Sequence, residues 1–345
     1  MSNGRPRPGR RDPDVHGPDR PSIGFDDPAL QQAVTAGIDA VEELIIAEIS
    51  GGKDFITDKV RHLVHAGGKR FRPMFAMLAS QFGDNPCCEE VVQAAVVVEL
   101  THLATLYHDD VMDEADKRRG VVSANARWNN SVAILAGDYL LSCCSRIMAR
   151  LGKPTVEHFA HTFGELVTGQ MRETIGPGDG DTIEHYMNVI REKTGVLIGS
   201  AGYLGALHSG ADERTVDALQ KLGMEIGIVF QIVDDIIDIW SDTEQSGKVP
   251  GTDLKEGVFT LPVLYALADE SPAGDALRAT LTGPVADEDV DEVLALIKQT
   301  NGRDKALEVV RSAMAEATNQ LDRLPDLPAK QALQSVMAYT VSRVG

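Results

Sequence analysis

Cysteine is scarce in this 345-residue sequence, and its placement excludes more than its number. The four cysteines form two adjacent pairs, Cys87-Cys88 and Cys143-Cys144. Neither pair has the C-x2-C spacing of a zinc site or a thioredoxin-like motif. They read as reduced, mostly buried thiols, as expected of a cytoplasmic protein. No uninterrupted apolar run reaches the ~20 residues of a membrane span, so no integral membrane segment is expected. Positive charge is also short, with 33 Lys and Arg against 52 Asp and Glu and a formal net charge of -19. That balance argues against general binding to nucleic acid or anionic lipid, while leaving room for a local basic pocket. The "GGKR" stretch lacks the remaining P-loop residues and a preceding strand. Neither acidic run has the alternating ligands and central glycine of an EF-hand loop.

What remains is helical. Residues 1–27, rich in Pro, Gly and Arg, are expected to be a disordered tail. Arg10-Arg11 lacks the following apolar region of an export signal. From Pro28 to residue 345 apolar residues recur at three- and four-residue steps, with no convincing series of alternating strands. The expected fold is all-α, a single large helical bundle around a central active-site cavity, with the segment after Pro272 as peripheral helices.

Two acidic stripes stand out. "YHDDVMDEADKRRG" carries Asp109, Asp110 and Asp113, and "FQIVDDIIDIW" carries Asp234, Asp235 and Asp238. In each, the first and last aspartates are four residues apart and share a helix face. Alone, such a stripe reads as a solvated helix end. Two on apolar helices repel without a counter-ion, and a hard cation such as Mg²⁺, shared with substrate phosphates, supplies one. Basic residues alternate with the stripes: Lys69, Arg70 and Arg72 after a diglycine, then Arg118 and Arg119, Lys193, Lys248 and Lys255. Cations so distributed suit anionic substrates bridged by metal. His102 lies two turns before Asp109 on the same helix stripe. His108 adjoins the motif and is expected to be structural.

In order, "GGKRFRP", "HDDVMDEADKRRG", "EKTG", "FQIVDDIID" and "GKVPGTDLKEG" make the chain resemble the trans-isoprenyl (polyprenyl) diphosphate synthases, particularly long-chain actinobacterial ones. The resemblance runs from about Pro28 onward. It implies that all six motif aspartates hold Mg²⁺, three ions per site, and the allylic diphosphate. It implies isopentenyl diphosphate contacts for Lys69, Arg72, His102 and Arg119. Arg118, Lys193, Thr194, Gln231, Lys248 and Lys255 are implied to contact the allylic diphosphate. The family is usually homodimeric.

The implied reaction is successive head-to-tail condensation of isopentenyl diphosphate onto an allylic diphosphate. Thr101, Ala104 and Thr105 precede Asp109 by one to two turns, where a bulky aromatic blocks the tunnel in short-chain relatives. Small residues there imply an open tunnel and a C35–C45 product, for a quinone such as menaquinone. Alternatives are a shorter-chain (geranylgeranyl) synthase or a non-catalytic subunit of a heteromeric enzyme. A terpene cyclase would not need "GGKRFRP". A di-iron bundle would need a second Glu-x-x-His beside Glu99 and His102.

Overall fold

The computed structural model describes residues 23–52, 54–240 and 250–343. Helices α1 (Pro28–Ser50), α2 (Asp54–His65), α3 (Phe71–Ser80) and α4 (Glu89–Met112) begin the bundle. The Asp27 side chain caps α1 by accepting from the Leu30 N–H at 2.8 Å, satisfying an otherwise orphaned donor. Ile23 is already buried against the core, and the Phe25 N–H donates to Gln31 Oε1. The packed unit therefore includes residues 23–27, which the sequence assigned to the tail. Residues 1–22 lie outside the described residues.

A two-residue hairpin follows α4. Strands β1 (Lys117–Arg118) and β2 (Val121–Val122) pair antiparallel. Arg119 (φ 52°) and Gly120 (φ 78°) form the turn between them, since two positive φ angles match the twist of a tight hairpin. The short α5 (Ala124–Arg127) leads to α6 (Asn130–Leu151) and α7 (Lys153–Ile175). Next come α8 (Thr182–Ile190), a π-helical turn over Arg191–Gly195, α9 (Val196–Ser209) and α10 (Glu213–Trp240).

Helices α3 and α9 are buried almost along their whole length. Gly205 permits the close approach between them, because a Cβ there would lie 2.3 Å from the Ala76 carbonyl oxygen. The Tyr107 hydroxyl accepts from the Leu63 N–H at 3.2 Å and lies 2.7 Å from the Lys59 carbonyl, tying α4 to α2.

Beyond residue 250 lie α11 (Thr252–Glu256), α12 (Leu261–Leu267), α13 (Pro272–Thr280) and α14 (Val290–Ile297). They share a small apolar cluster with Ile239. Helices α15 (Gly302–Asp322) and α16 (Pro328–Ser342) depart from the peripheral placement expected after Pro272. Ala306 and Val310 of α15 pack with Val229 and Val233 of α10, and Leu333 and Val336 of α16 belong to the main core. Their polar sequence covers the outer face only.

By length and composition, two described helices could cross a membrane, α4 and α6, contrary to what uninterrupted run length suggested. The most apolar window of α4 is 72% buried inside the protein, as in a core helix; that of α6 is 44% buried, so one of its faces stays uncovered.

Candidate active site

A cavity of about 960 Å³ opens between α4, α6, α7 and α10. Such a volume is at the upper end of ordinary small-molecule sites. It collects many of the residues singled out above: Lys69, Arg72, His102, Thr105, Asp109, Asp113, Arg118, Arg119, Lys193, Thr194 and Gln231 all line it.

One end is cationic. Arg70, in left-handed backbone at φ 49°, is buried and pairs with Glu42 and, at 3.0 Å, with Glu99. This fastens the "GGKRFRP" loop to α1 and α4. Arg72 is pushed down to about 10, first by burial, with Glu99 acting against the shift and Arg119 adding to it. Its Nε is buried with no hydrogen-bond partner among the described residues. Arg119 reaches across the hairpin to donate to the Gly67 carbonyl and stands 3.5 Å from His102 Nε2. Gly68 makes that reach possible: its φ is +143°, and a Cβ there would meet the Arg119 guanidinium at 2.8 Å. Burial, then the neighbouring arginines, push the His102 pKa well below the ordinary range. A neutral imidazole among clustered guanidinium groups makes this end an anion site.

The other end is acidic. Burial pushes Asp109 up to about 6 against the opposing pull of Lys193. Lys193 pairs with Glu173 of α7, and Arg172 grips Glu192 through two bonds of 2.9 and 3.1 Å. These contacts seat the π-helical turn, a backbone irregularity common at functional sites. Thr194 Oγ1 donates to Gln231 Oε1 at 3.3 Å, and Gln231 Nε2 donates to Asp235 Oδ1 at 3.0 Å. The cavity-lining side of α10 thus connects to the second stripe one turn on.

Several expected residues stand elsewhere. Asp110 does not line the cavity: it is fully buried, and Arg118 Nε donates to its Oδ1 at 2.6 Å. Asp234, Asp235 and Asp238 are also absent from the lining. Asp234 pairs with Arg343 at 2.5 Å. Asp235 accepts from the Tyr186 hydroxyl, and burial pushes it up to about 8. Asp238 accepts from the backbone N–H groups of Thr252 and Asp253. Lys255 pairs with Asp287 at 2.8 Å, away from the cavity, and Lys248 lies outside the described residues.

Of the three residues assigned to the tunnel wall, only Thr105 lines the cavity. Thr101 and Ala104 are fully buried in the helix packing, with Thr101 Oγ1 3.6 Å from Cys144 Sγ of α6. Burial within the helix packing removes them from the wall. His108, expected to be structural, does line the cavity, 3.4 Å from Asp138. The opposite wall comes from Phe163, Leu166, Val167, Gln170, Met171 and Thr174 of α7. Their steps of one, three and four residues were visible in the sequence, but nothing there said which helix they faced.

The polyprenyl synthetase family matches residues 53–299, most of the chain. The chain belongs to that family. A nonaprenyl diphosphate synthase of Mycobacterium tuberculosis is 50% identical over 325 residues, covering 94% of this chain and 97% of that protein. A crystal structure of geranylgeranyl pyrophosphate synthase from Corynebacterium glutamicum, complexed with calcium and isoprenyl diphosphate, superposes with a TM-score of 0.87 at 60% identity. It covers 94% of this chain and 100% of that one. A decaprenyl diphosphate synthase from Rhodobacter capsulatus superposes with a TM-score of 0.83 at 33% identity, over 92% of this chain and 99% of that one. The all-α isoprenoid synthase fold expected from the sequence is borne out, and so is the reaction class: this polyprenyl diphosphate synthase is a prenyltransferase.

Proposed function

We propose that this synthase is the long-chain kind, extending an allylic diphosphate with successive isopentenyl diphosphates in a trans, head-to-tail manner to a C35–C45 product. One observation carries the reading: a single cavity holds a cationic end at Arg72, Arg119 and neutral His102, an acidic end at Asp109 and Asp113, and apolar walls between α4 and α7.

The donors offered to a metal are all oxygens, the set that suits Mg²⁺. Asp110 Oδ2 is buried with no hydrogen-bond partner among the described residues, and burial holds the Asp109 pKa up, so the acidic end keeps a carboxylate oxygen unbonded and a carboxyl poorly solvated. Among the described residues no three carboxylate or imidazole groups converge closely enough to hold an ion themselves. Asp109, Asp113 and Asp234 would therefore share Mg²⁺, three ions in the full complement, with substrate oxygens. When bound, Mg²⁺ supplies leaving-group stabilisation.

The chain's own residues do the rest. Lys193 and Arg118 place fixed positive charge where the allylic diphosphate gains negative charge. Lys69, Arg72 and Arg119 hold isopentenyl diphosphate, and neutral His102 donates without adding repulsion. The allylic C–O bond breaks, with its electron pair leaving on pyrophosphate. The isopentenyl double bond attacks the resulting allylic cation, and pyrophosphate removes the proton. Leu106, Phe163, Leu166 and Val167 keep water from the cation.

The 50%-identical nonaprenyl synthase and the small Thr105 side chain support a long product; a quinone side chain such as that of menaquinone is the use the resemblance implies. The 60%-identical geranylgeranyl pyrophosphate synthase structure favours the shorter alternative. A homodimer, usual in the family that the motifs resemble, belongs to the same reading. So does a cytoplasmic location, with no nucleic-acid partner. The test is the purified chain alone with Mg²⁺, isopentenyl diphosphate and farnesyl diphosphate. Chromatography of dephosphorylated products should show C35–C45 alcohols; C20 alone would establish the shorter reading, and no product the non-catalytic one.

A further inference from the structure

Arg343 lies just beyond α16, yet its Nη2 stands 2.5 Å from Oδ1 of Asp234, the leading carboxylate of the second stripe. Its guanidinium carbon sits 5.0 Å from the ring centroid of Phe230, and that ring lines the cavity. Phe230 and Asp234 are one turn apart on α10, so the arginine lies along the helix face that leads from the cavity to the motif. Both side chains are partly open to solvent, at 21% and 27% exposure.

The three aspartates of this stripe are satisfied in different ways. Asp235 accepts from Tyr186 and Gln231, and Asp238 from two backbone N–H groups. Asp234 Oδ1 is buried with no aligned hydrogen-bond donor among the described residues, and neither does Arg343 Nη1, also buried, find an acceptor. Their contact is a charge pair without hydrogen-bond alignment. A pair serving only to fasten α16 would be redundant, since Leu333 and Val336 already bury that helix in the core. A cation placed against a motif carboxylate oxygen that has no hydrogen-bond donor among the described residues has the charge and location of a replaceable counter-ion.

We propose that Arg343 is a built-in counter-ion that occupies Asp234 in the metal-free enzyme and yields it to a divalent cation. Loading the second motif is thereby coupled to release of the end of α16. The inference rests on the reading that Asp234 helps to hold the metal. An incoming cation must displace the guanidinium, so the empty site binds metal weakly until substrate oxygens complete it. The coupling runs both ways: whatever frees Arg343 tightens metal binding.

The experiment is Mn²⁺ titration of the full chain without substrate, with free ion read by electron paramagnetic resonance, for wild type, Arg343→Gln, Arg343→Lys and Asp234→Asn. Arg343→Gln should bind the Asp234-dependent ion about two- to fivefold more tightly, the scale of one partly exposed ion pair. Arg343→Lys, which keeps the charge, should stay nearer to wild type. Hydrogen exchange supplies a second readout: Mn²⁺ should speed exchange at residues 339–343 in wild type and leave the already fast exchange of Arg343→Gln unchanged. Unchanged or weaker Mn²⁺ binding in Arg343→Gln, with binding lost in Asp234→Asn, would overturn this inference alone. Equal binding in Asp234→Asn and wild type would overturn the metal reading of Asp234, and this inference with it.

Discussion

Arg118 Nε donates to Asp110 Oδ1 across 2.6 Å, joining the hairpin after α4 to a carboxylate that is fully buried. Neighbouring Asp109 lines the cavity and is pushed up to about 6 by burial. Adjacent aspartates therefore answer differently to neutralisation. Asp110→Asn weakens a charge-assisted bond and should lower stability by about 1.5–3 kcal/mol. Asp109→Asn removes a desolvated charge and should leave the melting temperature equal or higher, while turnover falls at least about a hundredfold. Thermal denaturation beside initial rates checks both, and near-normal turnover in Asp109→Asn would remove that residue from the metal site.

Tyr186 and Gln231 each donate to Asp235, whose carboxyl is nearly inaccessible and pushed up to about 8. Tyr186→Phe leaves one carboxyl oxygen of Asp235 without its donor in a dry setting. We expect a stability loss of about 1–3 kcal/mol, together with weaker metal-dependent turnover. Chemical denaturation and a Mg²⁺ titration of the rate would measure the two effects. A variant that is destabilised with an unchanged Mg²⁺ dependence would confine Tyr186 to a structural role.

Thr105 lines the cavity, whereas Ala104 is buried in helix packing. Thr105→Tyr should narrow the cavity and shift the product to shorter chains. Ala104→Tyr should instead overpack the core, destabilising by about 1–3 kcal/mol or more. Product chromatography and melting curves on the two variants make opposite pairs of results, and a shortened product from Ala104→Tyr with normal stability would reverse their assignments.

Half-buried His158 stacks on Tyr203 with centroids 3.8 Å apart and shares a 2.9 Å hydrogen bond with Ser200. Burial, then His161, push it down from 6.5 to about 4. The unfolded chain binds this proton more readily, so the contribution to stability is fully present above about 6.5 and lost as pH falls toward about 4. After allowance for partial exposure, the loss is on the order of 2 kcal/mol. His158→Gln should flatten that part of the stability–pH curve, as measured by urea denaturation between pH 7 and 4.

The two acidic stripes and the cations around them were legible because metal and phosphate chemistry demands particular side chains at fixed local spacing. The resemblance carried by "DKRRG" implied separate substrates for Arg118 and Arg119, but not their partners within the protein. The hairpin turn sends one to Asp110 and the other to Gly67 and His102. Thr101, Ala104 and Thr105 looked equivalent, since all precede Asp109 by one or two turns. Which of them meets α6 and which the cavity depends on how α4 is rotated between its neighbours. The Tyr186–Asp235 contact spans 49 residues and the Arg343–Asp234 contact more than a hundred, and neither leaves a local pattern.

By itself, the sequence determined the helical class and the identity of most charged groups, because periodicity and ligand type are local properties of the chain; the reaction chemistry came from the family resemblance its motifs carry. Only the tertiary structure decided which aspartates face the cavity, which are held by arginine, tyrosine or backbone donors, and that α7 forms the far wall. Those outcomes depend on the relative rotation of packed helices, where a step of one residue turns a side chain by about 100° and moves it from the site into the core.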